Sequence, residues 1–130
     1  MTAPSPVDDR ALARSLALAR MGIGAAFLAS PRGVVSTWTG ERADDGAALA
    51  GRSLGGRDLA LGAGLLAALA RGGDAGAWLA AGAAADAFDA LGSLSALRST
   101  GRARHLLFLS TASAAAVIGS RLARRLSPGR

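Results

Sequence analysis

The chain contains no cysteine, so disulfides, thiol catalysis and cysteine-ligated metals are excluded. It contains no lysine or tyrosine, and valine and isoleucine are scarce. A shortage of β-branched and aromatic residues argues against sheet, which favours those side chains. A single histidine, His105, has no thiol partner with which to hold a metal and no Ser-His-Asp pattern around it. Long uninterrupted apolar runs are missing too: none reaches the roughly 18 residues of an ideal membrane span.

What is present is alanine, followed by leucine and glycine, in a chain of 130 residues with a net charge of +6 carried on arginine. That length allows one domain, and the composition makes it helical. The charges are bunched, and the segments 21–31, 59–70, 75–85 and 106–120 contain none. Three helical turns without a charge do not readily supply the polar face of a soluble helix. The arginines flank these segments and form no stripe, and no aromatic residues interleave them for base stacking, so nucleic acid is not an expected partner. Basic ends on apolar helices fit membrane-interface anchors, which makes the lipid bilayer the expected partner.

Four helices follow from the punctuation, at 11–30, 54–71, 75–98 and 103–126. The first spans ~30 Å at ~1.5 Å per residue, enough to cross a bilayer, and Pro31 stops it. Gly72 and Gly73 end the second, and a tight turn at Asp74 makes the second and third an antiparallel hairpin. Residues 1–10 read as a Pro-containing tail, 32–53 as a polar loop and 127–130 as a second tail. The fold expected over 11–126 is therefore an all-α, four-helix transmembrane bundle in antiparallel up-down order, with a soluble bundle as the alternative. The run 21–29 also fits a secretory h-region, but it is short, lacks an Ala-x-Ala site and is followed directly by Pro31. Small residues four apart, Gly22/Ala26, Gly64/Ala68 and Ala81/Ala85, have the spacing of close helix contacts in lipid.

The best functional lead is a pair of carboxylates, Asp86 and Asp89, one helical turn apart in apolar surroundings. Such groups must be paired, protonated or wet. With the helices arranged as hairpins, Arg20, Arg57, Asp58, Asp86 and Asp89 fall in one half of the bundle. Ionisable residues within a membrane face the bundle and pair with one another. The cluster reads as a register-fixing ion-pair network, with Asp58 also serving as a helix N-terminal charge, or as a proton or ion path, or as one wall of a polar ligand pocket.

Other features read more plainly. Gly62-Ala-Gly64-Leu-Leu-Ala67 matches a dinucleotide-binding pattern, but no strand precedes it, so these are helix-packing glycines. No cofactor and no catalytic residue is assigned. Ser110, Thr111 and Ser113 are expected to bond to their own helix backbone or a neighbour. Trp38 and Trp78 fall near helix ends, where an aromatic belt would lie, with helix packing the alternative for Trp78. The basic end Arg121-Leu-Ala-Arg124-Arg125-Leu126 suits anionic headgroups or water. The side with both termini carries Arg10, Arg14, Arg71, Arg121, Arg124, Arg125 and Arg130. The other carries Arg32, Arg42, Arg52, Arg57, Arg98, Arg102 and Arg104. An intramembrane Arg57 tips this balance toward both termini in the cytoplasm of a multi-pass plasma-membrane protein.

The segments Arg20-Met-Gly-Ile-Gly, Ser30-Pro31, Trp38-Thr-Gly40, Gly56-Arg57-Asp58-Leu-Ala-Leu-Gly62 and Ala81-Gly82-Ala-Ala-Ala-Asp86-Ala-Phe-Asp89, taken in order, resemble a family of small bacterial four-helix membrane proteins catalogued as a domain of unknown function. The resemblance covers most of 11–100 and implies four membrane-spanning helices with no established activity. The chain is also distantly similar to DoxX-type membrane proteins, some linked to respiratory or redox functions. The expectation is a structural or interaction subunit, with a second copy or another membrane protein as partner. A small proton-coupled transporter and a DoxX-like redox subunit are the alternatives.

Overall fold

The computed structural model describes residues 6–100 and 103–127, and within them every regular element is a helix. There are five: α1 (Pro6–Ala29), α2 (Pro31–Thr39), α3 (Asp45–Arg71), α4 (Ala75–Thr100) and α5 (Ala103–Leu126). The all-helical class is thus as the composition implies, while the count of four is one short. Residues 1–5, 101–102 and 128–130, which include parts of both expected tails and of the break after the third helix, lie outside the described residues.

The largest departure is at 32–53, expected as a polar loop. Pro31 does end α1, since it brings no N–H to the helix, but its fixed φ also suits the first position of a new one. It opens α2, which closes at Gly40 with φ +74°. After a short connection the Asp44 carboxylate accepts a hydrogen bond from the Ala47 N–H and starts α3 nine residues before the expected 54. The early turns of α3 are held by packing: Ala48 and Gly51 are buried, and Gly51 backs onto Phe27, Pro31 and Val35 at the α1–α2 corner. At the N-terminus, α1 begins at Pro6 with Asp8 and Asp9 in its first turn, so residues 6–10 of the expected tail are helical.

The four long helices form two close pairs, α1 with α3 and α4 with α5. Arg10 at the start of α1 donates to the Leu69 carbonyl at the end of α3 at 2.8 Å, and Asp9 pairs with Arg125 at the end of α5 at 3.0 Å. Both α3 and α5 therefore run antiparallel to α1. The α1–α3 seam is a stripe at alternating three- and four-residue steps: Ala13, Ala17, Arg20, Gly24 and Phe27 face Gly51, Gly55, Asp58, Gly62 and Leu65, all buried. Small residues let the backbones meet; a Cβ on Gly24 would lie 2.7 Å from the Gly55 carbonyl oxygen. Of the spacings singled out from the sequence, Gly22, Ala26 and Ala81 are exposed, whereas Gly64 seats the Trp78 ring.

At the end carrying both chain termini the pairs close on each other around Leu65, Leu69, Leu79 and Leu122, with Ala13, Ala17, Ala75 and Ala123 between them. At the opposite end they part, and α2 lies across the gap against α3 and α5. Large apolar side chains point outward along much of the bundle: Leu18, Leu49, Phe88, Leu91 and Leu107 are each 59–72% exposed. Two helices, Asp8–Ala29 and Ala103–Leu126, are long and apolar enough to cross a membrane, and only 22% and 17% of their apolar windows are buried within the protein.

Candidate functional site

Arg57 and Asp58 lie at the middle of α3, not at its first turn. Asp58 therefore has no free helix N-terminus to stabilise, and that role falls to Asp44 and Asp45. At this depth α3 brings Asp58 opposite Arg20 of α1, and α4 brings Asp86 to the other edge of the same guanidinium. Arg20 Nη1 donates to Asp58 Oδ1 at 3.0 Å and Arg20 Nη2 to Asp86 Oδ2 at 2.6 Å. Arg20, Asp58 and Asp86 are each more than nine-tenths buried. Arg20 Nη2 also lies 3.5 Å from the Gly82 carbonyl, which the missing side chain at 82 leaves accessible.

Arg57 extends the chain of charges. Its Nε and Nη2 reach Asp58 Oδ1 at 3.2 and 3.1 Å, and its Nη1 and Nη2 grip Asp89 through both carboxylate oxygens at 3.0 and 2.7 Å. This forked pairing is the geometry in which arginine holds a carboxylate most firmly. The Arg57–Asp89 pair is about one-third exposed, so the network runs from a buried centre to a wetter rim. All five residues singled out from the sequence thus share one network spanning three helices. No sealed side-chain polar atom among the described residues lacks a partner.

The network borders a cavity of about 510 Å³ between the two helix pairs, partly open to the outside. Its other walls are chiefly apolar: Leu16, Ile23 and Phe27 from α1, Leu54 from α3 and Ala96 from α4, with Ala112 and Ala115 from α5. At the end away from the termini, Trp38 closes it. Its ring meets Phe27 edge-on at 4.7 Å and Phe108 at 3.9 Å, a sandwich that joins α1, α2 and α5. The α2–α5 contact is reinforced by Arg104, whose Nη1 donates to the Thr37 carbonyl at 2.9 Å.

His105, expected at an interface, is half-buried and lines the cavity beside Phe108. Among the described residues no group of three His, Asp or Glu side chains could hold a metal ion. Ser110 and Thr111 donate to backbone carbonyls one turn back, at 2.7 Å each. Gly62 packs on Ala17 and Met21, and Gly64 on Trp78, in the helix-packing role expected of them.

Three features are not visible in the sequence pattern. The Trp38 sandwich joins rings that are 11 and 70 residues from one another in the chain. Asp9, 8% exposed and paired to Arg125, falls within the expected tail, although Pro6 followed by Asp8 and Asp9 is a helix-start signal. The cavity itself depends on the parting of the helix pairs. No family model, curated protein or solved structure matches the chain.

Proposed function

We propose that the chain is an integral membrane helical bundle, a structural or interaction subunit whose helix register is set by the Arg20–Asp58–Asp86 and Arg57–Asp89 pairs. The observation that carries this reading is the apolar outer surface. Leu18, Leu49, Phe88, Leu91 and Leu107 face outward, while Arg20, Asp58 and Asp86 lie inside beside the leucine core. Water penalises such a surface and lipid does not. The low internal burial of α1 and α5 adds to this, since a soluble protein's core helices would be mostly covered. Neutralising an internal arginine with carboxylates on two other helices is how membrane bundles accommodate such a group. The two arginine-bearing ends leave orientation nearly balanced, and termini in the cytoplasm are the preferred arrangement. The likeness to small four-helix membrane proteins belongs to the same reading, with α2 lying outside the spanning set.

Membrane fractionation with alkaline carbonate extraction tests it: the protein is expected in the carbonate-resistant pellet, and recovery in the soluble fraction overturns it. The cavity beside Asp86 and Asp89 favours a second reading, a small proton-coupled transporter. It predicts flux driven by a pH gradient in proteoliposomes that is lost in Asp86→Asn. Absence of gradient-dependent flux over a broad substrate panel counts against it.

A further inference from the structure

The cavity and the network together define a ligand preference. The charged residues on the cavity wall are Arg20, Arg57, Asp58, Asp86 and Asp89. Two guanidiniums face three carboxylates, with His105 also in the wall, which leaves one carboxylate without a guanidinium of its own. The hydrogen bonds locate it. Asp89 uses both oxygens on Arg57, whereas Asp58 accepts only through Oδ1 and Asp86 only through Oδ2. Asp58 Oδ2 and Asp86 Oδ1 accept no hydrogen bond among the described residues, and neither is a sealed atom. Asp58 and Asp86 are both among the residues that line the cavity.

We propose that this cavity binds an organic cation, a protonated amine with an apolar body. The ammonium N–H groups would meet the open oxygens of Asp86 and Asp58, and the body would lie along Ile23, Phe27, Phe108 and Ala112. The volume falls within the roughly 300–1,000 Å³ of small-molecule sites, and a mostly apolar wall with a few convergent polar groups is their usual make-up. A metal ion fits poorly, because two open carboxylate oxygens fall short of the six or so oxygen ligands that hard cations take. An anion would meet the uncompensated negative charge. The proposal concerns binding, requires no transport, and stands apart from the membrane reading, which fractionation decides.

The test uses the purified full chain, in detergent micelles or in buffer according to where it fractionates. Titration calorimetry is run with three probes of one body: phenylbutylammonium, phenylbutanol and phenylbutyrate. Saturable binding is expected for the ammonium, weaker binding for the alcohol and weakest for the carboxylate. Asp86→Asn should weaken the ammonium roughly tenfold or more, the effect of losing a charge-assisted hydrogen bond, and leave the alcohol unchanged. Ala112→Phe keeps every member of the network and takes up part of the cavity, so it should weaken ammonium binding while the protein still melts cooperatively. It also decides the matter if Asp86→Asn does not fold. Ammonium binding no tighter than the alcohol's, or unaffected by Asp86→Asn, or unaffected by Ala112→Phe, would overturn the proposal.

Discussion

The half of the bundle that carries the chain termini and the half that carries α2 fill their interiors differently. Near the termini, Leu65, Leu69, Leu79 and Leu122 interlock with alanines, with the Asp9–Arg125 pair joining two helix ends beside them. Toward α2, Arg20 holds two carboxylates on different helices, and a cavity opens beside them. An apolar contact can be trimmed and costs what it buried, whereas removing one member of a buried ionic network leaves the others uncompensated. The first half should therefore respond to substitution additively and the second as a unit. That asymmetry also fits a division between a fixed end and an end with space for a ligand.

The largest effect should come from Arg20→Gln, which strands Asp86 and leaves Asp58 with Arg57 alone. A loss of about 3–5 kcal/mol is expected, read as a drop in the thermal midpoint of the solubilised protein. Adding Asp58→Asn and Asp86→Asn to the same chain should recover part of that loss, because the stranded charges go with it. Unchanged melting of Arg20→Gln would dissolve the contrast between the halves. Leu79→Ala, at a site 2% exposed in the apolar half, should cost about 2–5 kcal/mol. Its effect should simply add to that of Arg20→Gln, and strong coupling between the two would break the comparison.

Gly55→Ala comes next. Its Cβ would lie 2.8 Å from the Gly24 carbonyl oxygen, so the α1–α3 seam must open, at about 1–3 kcal/mol. The smallest effect has the opposite sign. A methyl group on Gly22 would meet nothing within 4 Å, and Gly22→Ala should raise stability by about 0.5–1 kcal/mol. Parallel melting curves of the two glycine variants would separate backbone contact from helix propensity.

Much of the site is legible without the fold. Asp86 and Asp89 stand out because carboxylates among alanines demand a partner, and Arg20, Arg57 and Asp58 are the charges at matching depth. The pairing is not legible. That Arg20 reaches both Asp58 and Asp86, while Arg57 forks onto Asp89, depends on how three helices are rotated about their axes. Helix α2 is hidden for a related reason. Pro31 reads first as a stop, and only the burial of Ala48 and the packing of Gly51 against the α1–α2 corner show that helix resumes on both sides of residues 40–44. Small-residue spacings mislead similarly, since in an alanine-rich chain they occur on every face.

By itself, the sequence determined the helical class, because alanine and leucine favour helix and β-branched residues are scarce. It also determined the stop at Arg71, through the left-handed Gly72, and placed the end of the first helix, through Pro31, within one residue of Ala29. These are local properties of the backbone and its nearest neighbours. Only the tertiary structure decided which arginine meets which aspartate, which glycines touch, and that the helix pairs part to leave a cavity beside the ionic network. Those features arise between segments far apart in the chain, where rotation and register of whole helices, not the propensity of any residue, select the contact.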